Sequence, residues 1–262
     1  MKQFQTISLS IKDQVAHVVL NRPQVHNAFN EVMIKELITA FNNLDDNDQV
    51  RVIILAGDGP SFCAGADLNW MKDVSNYNHE QNLAESIQLS DCFYRIYTSN
   101  KPTIAKVHGA AIGGANGLIA SCDICIATND TIFSLSEVKI GVVPACISPY
   151  VVKRIGEMSA KQMMLTGQRF NGIKAQEIDL INFSGTEGEV EHYINQTVSS
   201  LMTSGPIAMK TCKELLYNLS NKWSLQESKL ETAKLIAKLR NSEEGQEGMQ
   251  AFLEKRKPNW SS

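Results

Sequence analysis

Three short segments of this 262-residue sequence carry residue types that can do chemistry. The first is Ser61-Phe62-Cys63-Ala64-Gly65-Ala66-Asp67-Leu68, which follows an apolar, β-branched run. Its small residues let a ligand approach the backbone closely, although a tight loop explains them as well. The second is His108-Gly109-Ala110-Ala111-Ile112-Gly113-Gly114-Ala115-Asn116-Gly117, a glycine-rich turn from a predicted strand into a predicted helix. Free N–H groups at a helix N-terminus bind anions and oxygens that become anionic during a reaction. The spacing is not G-x-G-x-x-G and no Gly-Lys-Ser/Thr follows, so neither a nicotinamide cofactor nor a P-loop is expected. The third is Ser136-Glu137-Val138-Lys139-Ile140-Gly141-Val142-Val143-Pro144. A carboxylate among apolar neighbours has a raised pKa and suits general acid/base work. On chain position alone, a surface glutamate is the simpler reading of Glu137.

Other candidates are weaker. Cys122 and Cys125 form a C-x-x-C, a spacing that suits redox or metal chemistry. The run from Cys122 to Ala127 reads as a buried strand. Three residues along a strand span ~10 Å, beyond the ~7 Å Cα separation a disulfide tolerates. No second Cys or His pair completes a metal site, so the pair is read as packing and no metal is expected. His17 and His108 fall in predicted strands and are read as packed. The basic run Lys255-Arg256-Lys257 is assigned to a terminal helix, where such runs are ordinarily solvated.

The elements that must position these groups can be read from periodicity. Ile7 to Ile11 alternates as a strand, Lys12-Asp13-Gln14 turns the chain, and Val15 to Leu20 completes a hairpin. Asn30 is the predicted N-cap of a helix whose face carries Met33, Ile34, Leu37, Ile38, Phe41 and Leu44. Strands follow at Val50 to Ala56, Thr103 to His108 and Thr131 to Ser134. Helices are predicted near Gln81 to Tyr97 and Gly114 to Ser121. This alternation implies an α/β architecture with buried, largely parallel pairing. After about Thr197 the pattern is helical only, over Gly205 to Leu219 and Leu225 to Leu239. The expected division is therefore a core at 1–196 and a helical subdomain at 197–262.

A formal net charge of -3 gives no reason to expect nucleic acid or an anionic membrane as partner. No run of about 18 apolar residues suggests a membrane span. Six cysteines without an export signal predict reduced thiols in a cytoplasmic protein.

Together the segments resemble the enoyl-CoA hydratase/isomerase (crotonase) family over nearly the whole chain. Asn21-Arg22-Pro23 with Asn27-Ala28-Phe29-Asn30 is similar to that family's first conserved loop. Phe62 to Asp67 resembles its first oxyanion segment. Lys101-Pro102-Thr103-Ile104-Ala105 with His108-Gly109 resembles the strand leading to its second. Phe252 to Pro258 is similar to its usual C-terminus. Within the family, Gly65-Ala66-Asp67-Leu68-Asn69-Trp70-Met71 and Leu135 to Tyr150 are most similar to the bacterial-type 3-methylglutaconyl-CoA hydratases of leucine breakdown.

The resemblance implies a spiral of ββα units with a helical tail, assembled as a homotrimer or homohexamer. It implies hydration of an α,β-unsaturated acyl-CoA, with coenzyme A as part of the substrate and no separate cofactor. The implied oxyanion donors are the N–H groups of Ala66 and Gly114, and the implied acid/base is Glu137. Ala28, Ala64, Asp67 and Leu68 would run along the CoA, and Trp70 and Met71 would line the acyl pocket or pack. Hydratases with two carboxylates carry a glutamate three residues after the oxyanion glycine; that place is Gly117 here. A single carboxylate also suits a Δ3,Δ2-enoyl-CoA isomerase, and its loss suits a non-catalytic CoA-binding or scaffold protein. For a substrate carboxylate, Lys139, Lys153, Arg154, Asn69 and Tyr150 are the nearby polar groups in sequence.

Overall fold

The structure, a computed structural model, describes residues 4–261. Strands β1 (Ile7–Lys12) and β2 (Val15–Leu20) pair antiparallel across Asp13 and Gln14. Both turn residues have positive φ, 49° and 63°, the twist that suits a two-residue hairpin. From β2 onward the strands pair in parallel. The strands β3 (Val52–Gly57), β4 (Thr103–Val107), β6 (Ile124–Thr128) and β8 (Phe183–Gly185) extend the sheet in the order β1-β2-β3-β4-β6-β8. A second, two-stranded sheet joins β5 (Ala110–Ile112) to β7 (Ile132–Ser134). Isolated bridges tie Cys63 to Ala111 and Ala66 to Phe29, so the small-residue loop is stitched to both neighbours.

Helices cover the sheet because their apolar residues recur on one face. Helix α1 (Glu31–Asp45) starts at Asn30, whose side chain accepts from Met33 N–H at 2.9 Å. It buries Met33, Ile34, Leu37, Phe41 and Leu44. Helices α2 (Leu68–Val74) and α3 (His79–Tyr97) follow; α3 begins at a capping box of Asn78 and Gln81, two residues before the expected start. Helix α4 (Ala115–Ser121) is buried along its whole length. Helix α5 (Ser148–Thr166), which the sequence reading left unassigned, kinks at Gly156, where φ is 69°. Helices α6 (Gly172–Glu177) and α7 (Glu187–Met202) complete this part.

The strand expected from Cys122 starts two residues later. Cys122 N–H donates to Ile119 O at 3.1 Å and ends α4, so β6 begins only at Ile124. Neither cysteine is in a disulfide and both are buried. Burial pushes Cys125 to about 11, and Cys63 and Cys92 to about 12. Such thiols stay protonated, and reactivity needs the thiolate.

The chain divides into two compact units. One runs to Ser99 and resumes over Thr103–Ile194; the other holds Asn100–Pro102 and begins again at Asn195. The second unit contains α8 (Pro206–Asn221), α9 (Leu225–Arg240) and α10 (Glu243–Glu254). The basic run is not helical. Lys255 adopts φ 56° and ends α10, while Arg256 is paired with Glu247 at 2.7 Å and Glu254 at 2.7 Å. No described helix is long and apolar enough to cross a membrane.

Candidate active site

The loop after β3 is held so that one backbone N–H is left over. Phe29 N–H donates to Gly65 O at 2.7 Å, and Asp67 N–H donates to Phe29 O at 2.8 Å. Successive peptide groups in extended chain point to opposite sides, so the N–H of Ala66 points away from Phe29. Among the described residues no acceptor is bonded to it. Gly65 makes this possible: its φ is 99°, a conformation that a side chain rarely allows.

Asp67 and Arg22 lock the arrangement. Asp67 caps α2, accepting from Asn69 N–H at 2.8 Å, and meets Arg22 Nη2 at 2.7 Å. Burial works to raise its pKa, but the Arg22 hydrogen bond and the Asn69 and Trp70 N–H groups outweigh it and hold the carboxyl below its usual value. Arg22 Nη1 also donates to Ala28 O at 2.7 Å. Buried Asn27 donates to Asp58 O and Ser61 O, each at 2.8 Å. The Asn21-Arg22-Pro23 and Asn27 segment therefore clamps the loop from Ser61 to Asp67.

The second free N–H comes from the turn before α4. Gly113, at φ 55°, donates its N–H to Ser134 O at 2.8 Å. Asn116 is fully buried and donates to the carbonyls of Ala111, Gly113 and Ser134 at 3.2, 3.0 and 2.9 Å. Among the described residues the N–H of Gly114 meets no acceptor.

Glu137 opens a short 3-10 helix, Glu137–Ile140. Its Oε2 is buried with no hydrogen-bond partner, and burial raises its pKa. A Cβ on Gly113 would lie 3.2 Å from Glu137 Oε1, so the carboxylate packs directly against the glycine turn. Ala66, Gly114 and Glu137 line one cavity of about 270 Å³, together with Phe29, Trp70 and Ile147. Trp70 Nε1 is a second buried polar atom without a partner. A larger cavity, about 630 Å³, lies near Lys106, His108 and Asn129. His108 there is bonded to Gly59 O at 2.8 Å and Lys106 is paired with Glu191, so these groups are already engaged. His17, whose pKa is lowered chiefly by burial, lines neither cavity.

Ala66, Gly114, Glu137 and Trp70 are thus brought together, and the other predicted residues are not. Ala28 is buried, the Ala64 N–H is bonded to His26 O at 2.9 Å, and Leu68 is 74% exposed. Asp67 spends its carboxylate on the loop. Gly117 faces a packed wall: a Cβ there would sit 2.3 Å from Ile147 Cγ2 and 2.7 Å from Phe93 Cε1. None of the five groups named for a substrate carboxylate lines the cavity. Arg154 is bonded to the carbonyls of Ala120, Cys122, Asp123 and Leu180, and Tyr150 is buried against Phe93 and Tyr97. The sequence reading missed Ser86, Leu89 and Cys146 in the cavity wall. Helical spacing of 86, 89 and 93 on α3 was visible in the sequence; which wall that face would meet was not. Among the described residues no group of three or more His, Cys, Asp or Glu could hold a metal ion.

Residues 10–262 match the family described as enoyl-CoA hydratase/isomerase. An enoyl-CoA hydratase from Shewanella pealeana is 40% identical, with a TM-score of 0.95 over 99% of this chain and 97% of that one. Pseudomonas aeruginosa AtuE is 32% identical, with a TM-score of 0.95 over 98% of this chain and 100% of that one. A peroxisomal Delta(3,5)-Delta(2,4)-dienoyl-CoA isomerase of Arabidopsis thaliana is 29% identical over 100% of this chain and 99% of its own length. The fold is the crotonase α/β fold with C-terminal helices.

Proposed function

Because the chain belongs to the enoyl-CoA hydratase/isomerase family, we propose that its cavity adds water across the α,β double bond of an enoyl-CoA. One observation carries this reading: two N–H groups without protein acceptors, at Ala66 and Gly114, share a cavity with the partnerless carboxylate of Glu137. The thioester oxygen sits between the two N–H groups. Glu137 takes a proton from water as its oxygen bonds to Cβ, and the C=C electrons move onto the thioester as an enolate. Each N–H is worth roughly 3–4 kcal/mol where that charge develops. A proton delivered to Cα completes the hydration. Double-bond isomerisation is the second reading, favoured by Glu137 being the one carboxylate among the residues lining the cavity.

The finer substrate reading is 3-methylglutaconyl-CoA. It is supported by the likeness of residues 65–71 and 135–150 to hydratases of that substrate. Its distal carboxylate would meet neutral donors, since no lysine, arginine or histidine lines the cavity. The partnerless Trp70 Nε1 and the Ser86 hydroxyl are the donors at hand. Purified protein is assayed by mass spectrometry on a panel of enoyl-CoAs. Gain of one water is expected, with kcat/KM at least ~10-fold higher for 3-methylglutaconyl-CoA than for crotonyl-CoA, as one satisfied charged contact predicts. A crotonyl-CoA preference leaves a general short-chain hydratase; an unchanged mass with a moved double bond supports the isomerase.

The helical unit is read as the assembly surface of a homotrimer or homohexamer. Leu230, Ala233 and Ile236 on α9 are exposed in the single chain, where apolar faces call for a cover. Light scattering at micromolar concentration should give a trimer or hexamer mass; a stable monomer rejects it.

A further inference from the structure

The wall that crowds Gly117 contains a carboxyl group of its own. Gly117 faces Phe93 of α3 and Ile147 of the connector before α5. Two turns earlier on α3, on the same face as Leu89 and Phe93, stands Glu85. Its neighbour Ser86 and its i+4 partner Leu89 line the cavity. The Ser86 carbonyl accepts from Cys146 Sγ at 3.7 Å, and Cys146, also in the cavity wall, adjoins Ile147. The same two elements that exclude a side chain at 117 therefore carry Glu85 and its cover. Glu85 Oε1 is buried and has no hydrogen-bond partner.

We infer that Glu85 supplies, from α3, the second acid/base carboxyl of the reaction, the one that position 117 on α4 lacks. This rests on the hydration reading above. Burial, and then the negative charge of Glu31, raise the pKa of Glu85, the direction a proton donor requires. The titratable groups that act on it are Glu31 at the start of α1, itself paired with Lys35, and Cys146 on the connector, whose thiol burial and then Glu85 push up. The step balances. Water gives a proton to Glu137 and its hydroxyl to Cβ; the enolate takes a proton from Glu85 at Cα. A proton then passes from Glu137 to Glu85 through solvent, restoring both groups.

The test compares wild type, Glu85→Gln and Glu85→Asp for hydration of crotonyl-CoA across pH; this probe's acyl group does not titrate. Wild type should lose rate on the acid side as Glu137 is protonated, and on the alkaline side as Glu85 ionises. Glu85→Gln should lower kcat ~100-fold, the scale of losing a general acid. KM should change by less than about threefold, and the alkaline limb should disappear. Glu85→Asp should restore part of the rate and the limb. A folded Glu85→Gln enzyme with wild-type kcat overturns the assignment. So does one that is slower but keeps the alkaline limb, because that is a packing defect. If wild type adds water to no enoyl-CoA, the hydration reading falls and Glu85's role with it. If wild type is active and Glu85→Gln is normal, only Glu85's role falls.

Discussion

Glu137→Gln is expected to lower kcat at least ~100-fold while acyl-CoA binding is retained. Glutamine keeps the shape and a hydrogen-bonding oxygen but cannot accept the proton that water must give up. The two N–H groups of Ala66 and Gly114 are untouched, so the thioester still docks. The same substitution should not lower stability at neutral pH. Burial raises the Glu137 pKa above its unfolded value. Protonated Glu137 is thus the form the fold favours. Its contribution is fully present below the unfolded pKa and is lost as pH rises through the folded pKa. Glu137 carries a buried, partnerless oxygen, and glutamine, which never ionises, avoids the cost of placing a charge there. Stopped-assay kcat, binding of a non-reactive acyl-CoA and a thermal melt decide the matter. Near-normal kcat would take Glu137 out of the mechanism, and a large fall in melting temperature would mean that its carboxylate holds the fold.

Gly117→Glu should cost about 3 kcal/mol or more of stability and give no gain in rate. Copying the second carboxylate of the two-carboxylate hydratases into this chain looks like a repair. The packing forbids it. A Cβ alone meets Ile147 Cγ2 at 2.3 Å and the Phe93 ring at 2.7 and 2.8 Å, closer than Cβ atoms come to their neighbours. Replacing a helical glycine ordinarily gains up to about 1 kcal/mol in helix propensity. Overpacking α4, buried over its whole length, outweighs that gain, and a carboxylate forced into the same wall adds its desolvation cost. Urea unfolding measures the loss, and kcat on the same preparation tests for rescue. A variant as stable as wild type and faster would mean that Ile147 and Phe93 give way, and Gly117 would then be a vacant catalytic position.

What the sequence determined by itself is local. The hairpin at Asp13-Gln14, the helix start at Asn30, the β-branched core strands and the helical tail follow from residue type and spacing over a few residues, where backbone sterics and capping dominate. The glycine-rich turn and the loop of small residues were legible for the same reason: only small residues expose backbone N–H groups. Tertiary structure decided what those pieces do. Ala66 offers its N–H because Phe29, distant in sequence, occupies the peptide groups on either side. Asp67 is held by Arg22, a pairing that no local pattern announces. Cys122 closes a helix instead of opening a strand, and Arg256, exposed as expected, follows the end of the last helix and pairs with Glu247 and Glu254. On chain position alone Glu137 reads as a surface glutamate and nothing singles out Glu85; burial raises the pKa of both. A carboxyl's acidity depends on what surrounds it in three dimensions, and so does the room beside a glycine. The candidate groups Ala66, Gly114 and Glu137 were therefore visible in the sequence and Glu85 was not, and ionisation and available space were set by packing between segments far apart along the chain.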